Sequence, residues 1–355
     1  MPEITPEISQ SLRRVSFWAA ILVVGLHALA EASAFPLKVL CALASAAVPM
    51  FFTLSGFFLA RHWHEKGFWR REVCKRIRSL LVPYFIWLLL AMVLFGFLAP
   101  LLKWMVGTSD VFRPDWTYVE ALGRSVYDWP FIRSFWFLRT LFILVVLSPI
   151  WLAVCLAGWR WLLPVALGVV LAGWYIQDFQ PTWSPALMLV GKIGVRLRAL
   201  LFVMLGAIIF RLDALAWLMR WGHGLGMGVA YLGGAVVLGS GLCLPQLGAF
   251  FLHGGVEFAG IVVLLALCSK IPLPSWLAQT SLALYLTHGI VLRVFREFIF
   301  WRGTAGHEVL MWCVCVLLGV CAWSLIVRGP SWGVMLLLGG RGRKTNGTMA
   351  RPRVA

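Results

Sequence analysis

Residues 16–32 read SFWAAILVVGLHALAEA. Ser16 to Leu26 is apolar enough to enter a bilayer, and the run resumes after His27. An imidazole in hydrocarbon costs free energy unless something pairs with it. The stretch therefore poses two questions together: whether this is a membrane helix, and what His27 does inside it.

The whole chain answers the first. Of its 355 residues, 61% are hydrophobic and only 13% charged, with 20 Trp and 24 Phe. Mean hydropathy is +0.88. A soluble globular chain carries about 25% charged residues. The composition implies an all-α, polytopic transmembrane bundle with wide aromatic belts. Apolar runs broken by charge, Pro or Gly predict about ten spans. These are 15–33, 37–60, 79–105, 135–157, 160–177, 194–211, 224–243, 250–269, 275–298 and 307–327. Residues 1–330 read as one membrane domain and 331–355 as a basic cytoplasmic tail.

The net charge of +17 would suggest nucleic acid on a soluble protein. Here the positives gather in short loops. Arg13 and Arg14 precede the first span. The segment RHWHEKGFWRREVCKRIR (61–78) follows the second, Arg211 and Arg220 follow the sixth, and the tail holds Arg341, Arg343, Lys344, Arg351 and Arg353. An even span count puts all of them, and both termini, in the cytoplasm. No basic soluble domain is present, so nucleic acid is not expected as a partner. The loop 106–134, with Asp110, Asp115, Glu120 and Asp128 among three arginines, falls on the opposite side. SLRRVSF followed by ASA (32–34) loosely imitates a twin-arginine signal, but the spans that follow favour an uncleaved first helix. Asn346-Gly-Thr, a glycosylation acceptor by pattern, falls on the cytoplasmic side. The eight cysteines have no zinc-site spacing and read as packing residues. There is no Walker loop, HExxH or GxSxG.

Ionisable residues inside spans are the informative ones. Glu31 follows His27 by four residues, and on a continuous helix the two share a face. Its carboxylate could orient the imidazole as a general base. Equally, His27 could bond a neighbouring helix while Glu31 marks the interface. His253 and Glu257 repeat the spacing, with structural pairing the simpler reading. His288, in TSLALYLTHGIVL (280–292) three residues after Tyr285, suits a helix–helix hydrogen bond. Arg139, about a turn inside the fourth span, needs an anion, a wet cavity or a route to the interface. Arg196 and Arg198 flank a cavity or the outer edge. Arg70, Arg71, Lys75, Arg76 and Arg78 could hold phosphates, or serve topology and anionic lipid.

Six segments, in order, resemble the acyltransferase 3 family of integral membrane acyltransferases. They are AAILVVGLHA around His27, VPMFFTLSGFFLARHW (48–63), KRIRSLLVPYFIW (75–87), FWFLRTLFILVVLSPI (135–150), LLFVMLGAIIFRLD (200–213) and TSLALYLTHGIV (280–291). The resemblance implies transfer of an acyl group, usually acetyl, from cytoplasmic acetyl-CoA to a hydroxyl on a glycan or glycolipid. It implies a multi-pass protein of a bacterial inner membrane, with acyl-CoA as a donor substrate and no tightly bound cofactor or metal. It makes His27 the catalytic residue, with Glu31 and Arg139 beside it. On residue chemistry, Arg14, Arg70, Arg71, Lys75, Arg76 and Arg78 are candidates to bind the donor, and Ser55, His253, Glu257, Tyr285 and His288 are further cavity candidates. Partners would be the lipid bilayer, acyl-CoA and the acceptor, with a homodimer left open. One position departs from the pattern: Ser16 stands where many members carry Arg, so either Arg14 reaches in or another cation, preferably Arg139, replaces it. A transporter or flippase for a glycolipid or small anion is the competing class. It would call for inverted repeats or paired broken helices, and the sequence shows neither.

Overall fold

A computed structural model describes residues 5–106, 133–179, 185–221, 225–242, 246–298 and 305–339. All regular structure among them is helical. The first helix, α1 (Pro6–Ala28), begins where the sequence supplies a cap. The Thr5 hydroxyl accepts from the Ile8 amide at 3.3 Å, Pro6 fills the first turn, and Glu7 faces the positive end of the helix.

The next segment forms one spanning stretch (Phe35–Arg61), as expected, built from two helices, α2 (Phe35–Ala44) and α3 (Ala47–Arg61), with a turn at Ser45 and Ala46. The Ser45 hydroxyl donates to the Ala42 carbonyl at 2.7 Å, which helps close α2. The basic segment forms α4 (Phe68–Arg76) and a π turn (Ile77–Leu81) leading into α5 (Val82–Val106). Pro83 explains the wide turn. It has no amide to offer the Ser79 carbonyl four residues back, so the ladder shifts. After a 3₁₀ turn, α6 (Trp136–Val146) and α7 (Ser148–Ala157) meet at 65°. Pro149 breaks what the sequence predicts as a straight span over 135–157. The remaining helices are α8 (Trp159–Phe179), α9 (Pro185–Arg211), α10 (Leu215–Trp221), α11 (Leu225–Gly239), α12 (Gln246–Cys268), α13 (Ser281–Phe298), α14 (Ala305–Arg328) and α15 (Ser331–Leu338).

Among the described residues, five helical stretches are long and apolar enough to cross a membrane, and the bent α6–α7 pair makes a sixth if taken as one span. The expectation of about ten is not met on that measure. Helix α11 has only 15 residues, and α13 carries Arg293, Arg296 and Glu297 within 18. Most of the loop 106–134 and the tail arginines from Arg341 onward lie outside the described residues. Residues 331–338, placed in the expected tail, form α15, whose Leu337 carbonyl accepts from Trp87 at 3.0 Å.

Packing fixes the position of α1. Leu284 clusters with Phe17 and Ala20, and Leu292 clusters with Val24 and Ala28. Leu284 to Leu292 advances eight residues while the α1 partners advance seven or eight in the same sense, so α13 runs parallel to α1. Met311 and Cys315 pack with Val24 and Ala28, while Val316 and Val320 pack with Phe17 and Ala20, so α14 runs antiparallel. Gly25 leaves room for Trp312. An added Cβ would meet that ring at 2.8 Å, and the Trp312 indole donates to the Ile21 carbonyl at 3.0 Å. Helices α3 and α9 touch backbone to backbone. A Cβ on Gly56 would lie 1.9 Å from the Val203 oxygen, and one on Gly206 would lie 1.9 Å from the Thr53 oxygen. In a bilayer, small residues at such crossings let dispersion contacts form along two backbones.

Candidate active site

Helix α13 carries the site in three levels. Its first turns, at Ser281, Leu282 and Tyr285, line a cavity of about 90 Å³. The other walls are Phe51 and Ser55 of α3, Phe137, Leu138 and Leu141 of α6, and Arg76 and Leu80 at the basic segment. One turn on is His288. Two turns beyond that is Arg296.

His288 is fully buried. Its ring stacks on His27, with centroids 5.3 Å apart and planes at 24°. The Tyr285 ring lies edge-on to it, with centroids 5.5 Å apart. The Tyr285 ring also packs edge-on against Phe137 at 5.4 Å, and its hydroxyl donates to the Ser134 carbonyl. The i, i+3 spacing of Tyr285 and His288 puts both on one face. Tyr285 therefore joins the cavity wall to the histidine pair. The expectation of a helix–helix hydrogen bond for His288 is not met. Its Nδ1 bonds its own helix, at the Leu284 carbonyl, 3.1 Å away.

The orienting pair His27–Glu31 is not formed. Helix α1 ends at Ala28, so the two residues do not share a helical face. Glu31 lies in the following turn, with two-thirds of its side chain exposed, and pairs with Arg296 at 3.4 Å. The same guanidinium donates to the His27 carbonyl at 2.8 Å. That carbonyl is one of the orphan acceptors at a helix C-terminus, where a cation is favoured. Arg296 was not singled out from sequence. Its signal there is only that it follows His288 by eight residues on the same helix.

Arg14 does not reach His27. The two are thirteen residues apart on one helix, roughly 20 Å at about 1.5 Å per residue. Its guanidinium donates to the Ser269 carbonyl at 3.2 Å, just past α12. Ser16, at the departing position, turns its hydroxyl back to the Leu12 carbonyl at 2.9 Å. Arg139 is half-buried on α6 and interacts electrostatically with Tyr84 of α5. Its neighbours Leu138 and Leu141 face the cavity, but Arg139 is not in the cavity wall.

The basic cluster divides. Arg76 enters the cavity wall and is held by Glu72 at 3.5 Å. Lys75 bonds the same carboxylate at 3.0 Å. Arg71 pairs with Glu65, which also bonds His62 at 2.6 Å. The His62 bond, with the Arg71 guanidinium beside it, holds the Glu65 carboxyl below the usual carboxylate range. Arg70 and Arg78 are exposed. His253 and Glu257 do not pair. His253 is exposed, and the buried Glu257 instead takes Arg198 of α9 at 2.7 Å, away from the cavity. The side chain of Arg196 lies outside the described residues.

The family model for an acyltransferase domain of the acyltransferase 3 type matches residues 15–329, nearly the whole chain. The chain belongs to the acyltransferase 3 family. No curated protein and no solved structure matches it. As an acyltransferase 3 member with apolar helices of spanning length, it is an integral, multi-pass membrane acyltransferase.

Proposed function

We propose that the protein is an O-acyltransferase. It moves an acyl group, acetyl in the simplest case, from acyl-CoA to a hydroxyl of a glycan or glycolipid. The full bundle would have about ten spans in a bacterial inner membrane, with both termini in the cytoplasm. The observation that carries this reading is the stacked His27–His288 pair, joined through Tyr285 to a cavity that Arg76 connects to the basic segment.

Acyl transfer from a thioester needs a group to accept a proton or carry the acyl unit, and buried imidazoles do either. It needs hydrogen-bond donors where the carbonyl oxygen becomes negative, and Ser55 and Ser281 supply hydroxyls at the cavity. The donor's phosphates need cations. Arg76, with the exposed Arg70 and Arg78, supplies them from the basic side. Arg14 bonds elsewhere, at Ser269, and Glu31 becomes a partner of Arg296, while Arg139 stays the candidate for a further cation.

Purified protein is supplied with radiolabelled acetyl-CoA and a cell-envelope fraction. The proposal expects label in the glycan or glycolipid fraction. Label that never moves, while the protein exchanges solute across liposomes, replaces this reading with the transporter.

A further inference from the structure

The hydrogen bonding of His288 fixes its proton. A carbonyl only accepts, so Nδ1, facing the Leu284 oxygen, must carry the hydrogen. In the neutral ring Nε2 is then a bare lone pair. That atom is buried and has no hydrogen-bond partner among the described residues. Leaving a buried acceptor unmet costs free energy. A histidine that served only to join helices would spend Nε2 on a neighbouring helix. This one keeps a proton acceptor open beside a second imidazole.

We propose, resting on the acyltransferase reading above, that the two imidazoles divide the reaction. His27 carries the acyl group, and His288 Nε2 takes the proton of the acceptor hydroxyl. In the first half, a ring nitrogen of His27 attacks the thioester carbon. The N–C bond forms, the C–S bond breaks, and the departing thiolate takes the proton from the other His27 nitrogen. This leaves a free thiol and a neutral acyl-imidazole. A group bonded to the His27 ring lies beside the His288 ring, because the two are stacked. In the second half, the hydroxyl oxygen attacks the acyl carbon while its proton moves to His288 Nε2. The C–N bond breaks, and the His288 imidazolium returns the proton to the departing His27 nitrogen. Ester and thiol are the products, and both imidazoles end neutral.

The test is His288→Asn in the full-length protein. The Asn amide keeps a donor for the Leu284 carbonyl and removes the Nε2 lone pair. With radiolabelled acetyl-CoA and rapid quenching, wild type and His288→Asn both take label onto the protein, and His27→Ala does not. On adding the envelope fraction, His288→Asn discharges its label about 100-fold more slowly than wild type, the scale of a lost general base. Discharge at the wild-type rate overturns the proposal. So does a wild-type protein that turns over without ever carrying label, although the acyltransferase reading then stands. Label that moves nowhere removes that reading as well. If the melting temperature shows that the Asn variant fails to fold, His288→Gln carries the same expectation and the same overturning outcomes.

Discussion

The His27 side chain meets its surroundings differently from its backbone. The imidazole stacks on His288, while the carbonyl of the same residue is gripped by Arg296. Glu31 supports only the second contact, and it does so from an exposed position. Exposed ion pairs contribute about 0–1 kcal/mol. Glu31→Gln should therefore leave acyl transfer within about twofold of wild type, because Arg296 keeps its bond to the carbonyl. A loss of 100-fold or more in the transfer assay would restore Glu31 as the orienting partner of His27. The prominence of His27 was legible in the sequence because an ionisable residue stands out in an apolar run. Its partners were not. Arg296 and His288 are brought to it by the register of two helices about 260 residues apart in the chain, and no local pattern encodes that register. Glu31 does not lie over His27 because the helix stops at Ala28.

At the scale of elements, hydropathy located most helices but not their interruptions. The 65° bend between α6 and α7 follows from Pro149, which the sequence already displayed. The break between α2 and α3 has no proline or glycine at Ser45 or Ala46 to announce it. The contact between α3 and α9 was equally silent, since the glycines that permit it read as ordinary members of apolar runs. It matters to the site because α3 brings Phe51 and Ser55 to the cavity. Gly206→Ala pushes a methyl group into the Thr53 carbonyl, and backbone cannot swing aside as a side chain can. Overpacking of this kind costs about 1–3 kcal/mol. The variant should melt several degrees lower in detergent. Gly233→Ala, which meets nothing within 4 Å, should melt at or above the wild-type temperature. Equal melting of both variants would show that the α3–α9 crossing is looser than described.

For the whole molecule, the axis of α13 orders the chemistry. Arg76 and the cavity lie at the level of its first turns, the histidine pair one turn on, and Arg296 with Glu31 beyond. A donor held by the basic segment and an acceptor approaching from the Glu31 end would meet at His27. This arrangement requires the basic segment to face the cytoplasm, where acyl-CoA is found. Cys74, exposed within that segment, reports on it. With the other cysteines replaced, a membrane-impermeant thiol reagent should label Cys74 in inverted vesicles and leave it untouched in intact spheroplasts. Labelling from the outer face would reverse the proposed topology and separate the donor from the cavity.

The central claim is that acyl transfer passes through His27. Its most direct measurement is the transfer of radiolabelled acetyl from acetyl-CoA to an envelope fraction by purified His27→Ala, at matched melting temperature. The account predicts transfer at least 1,000-fold below wild type, roughly the loss expected for an essential nucleophile or base. A folded His27→Ala protein that retains a tenth or more of wild-type transfer would contradict it.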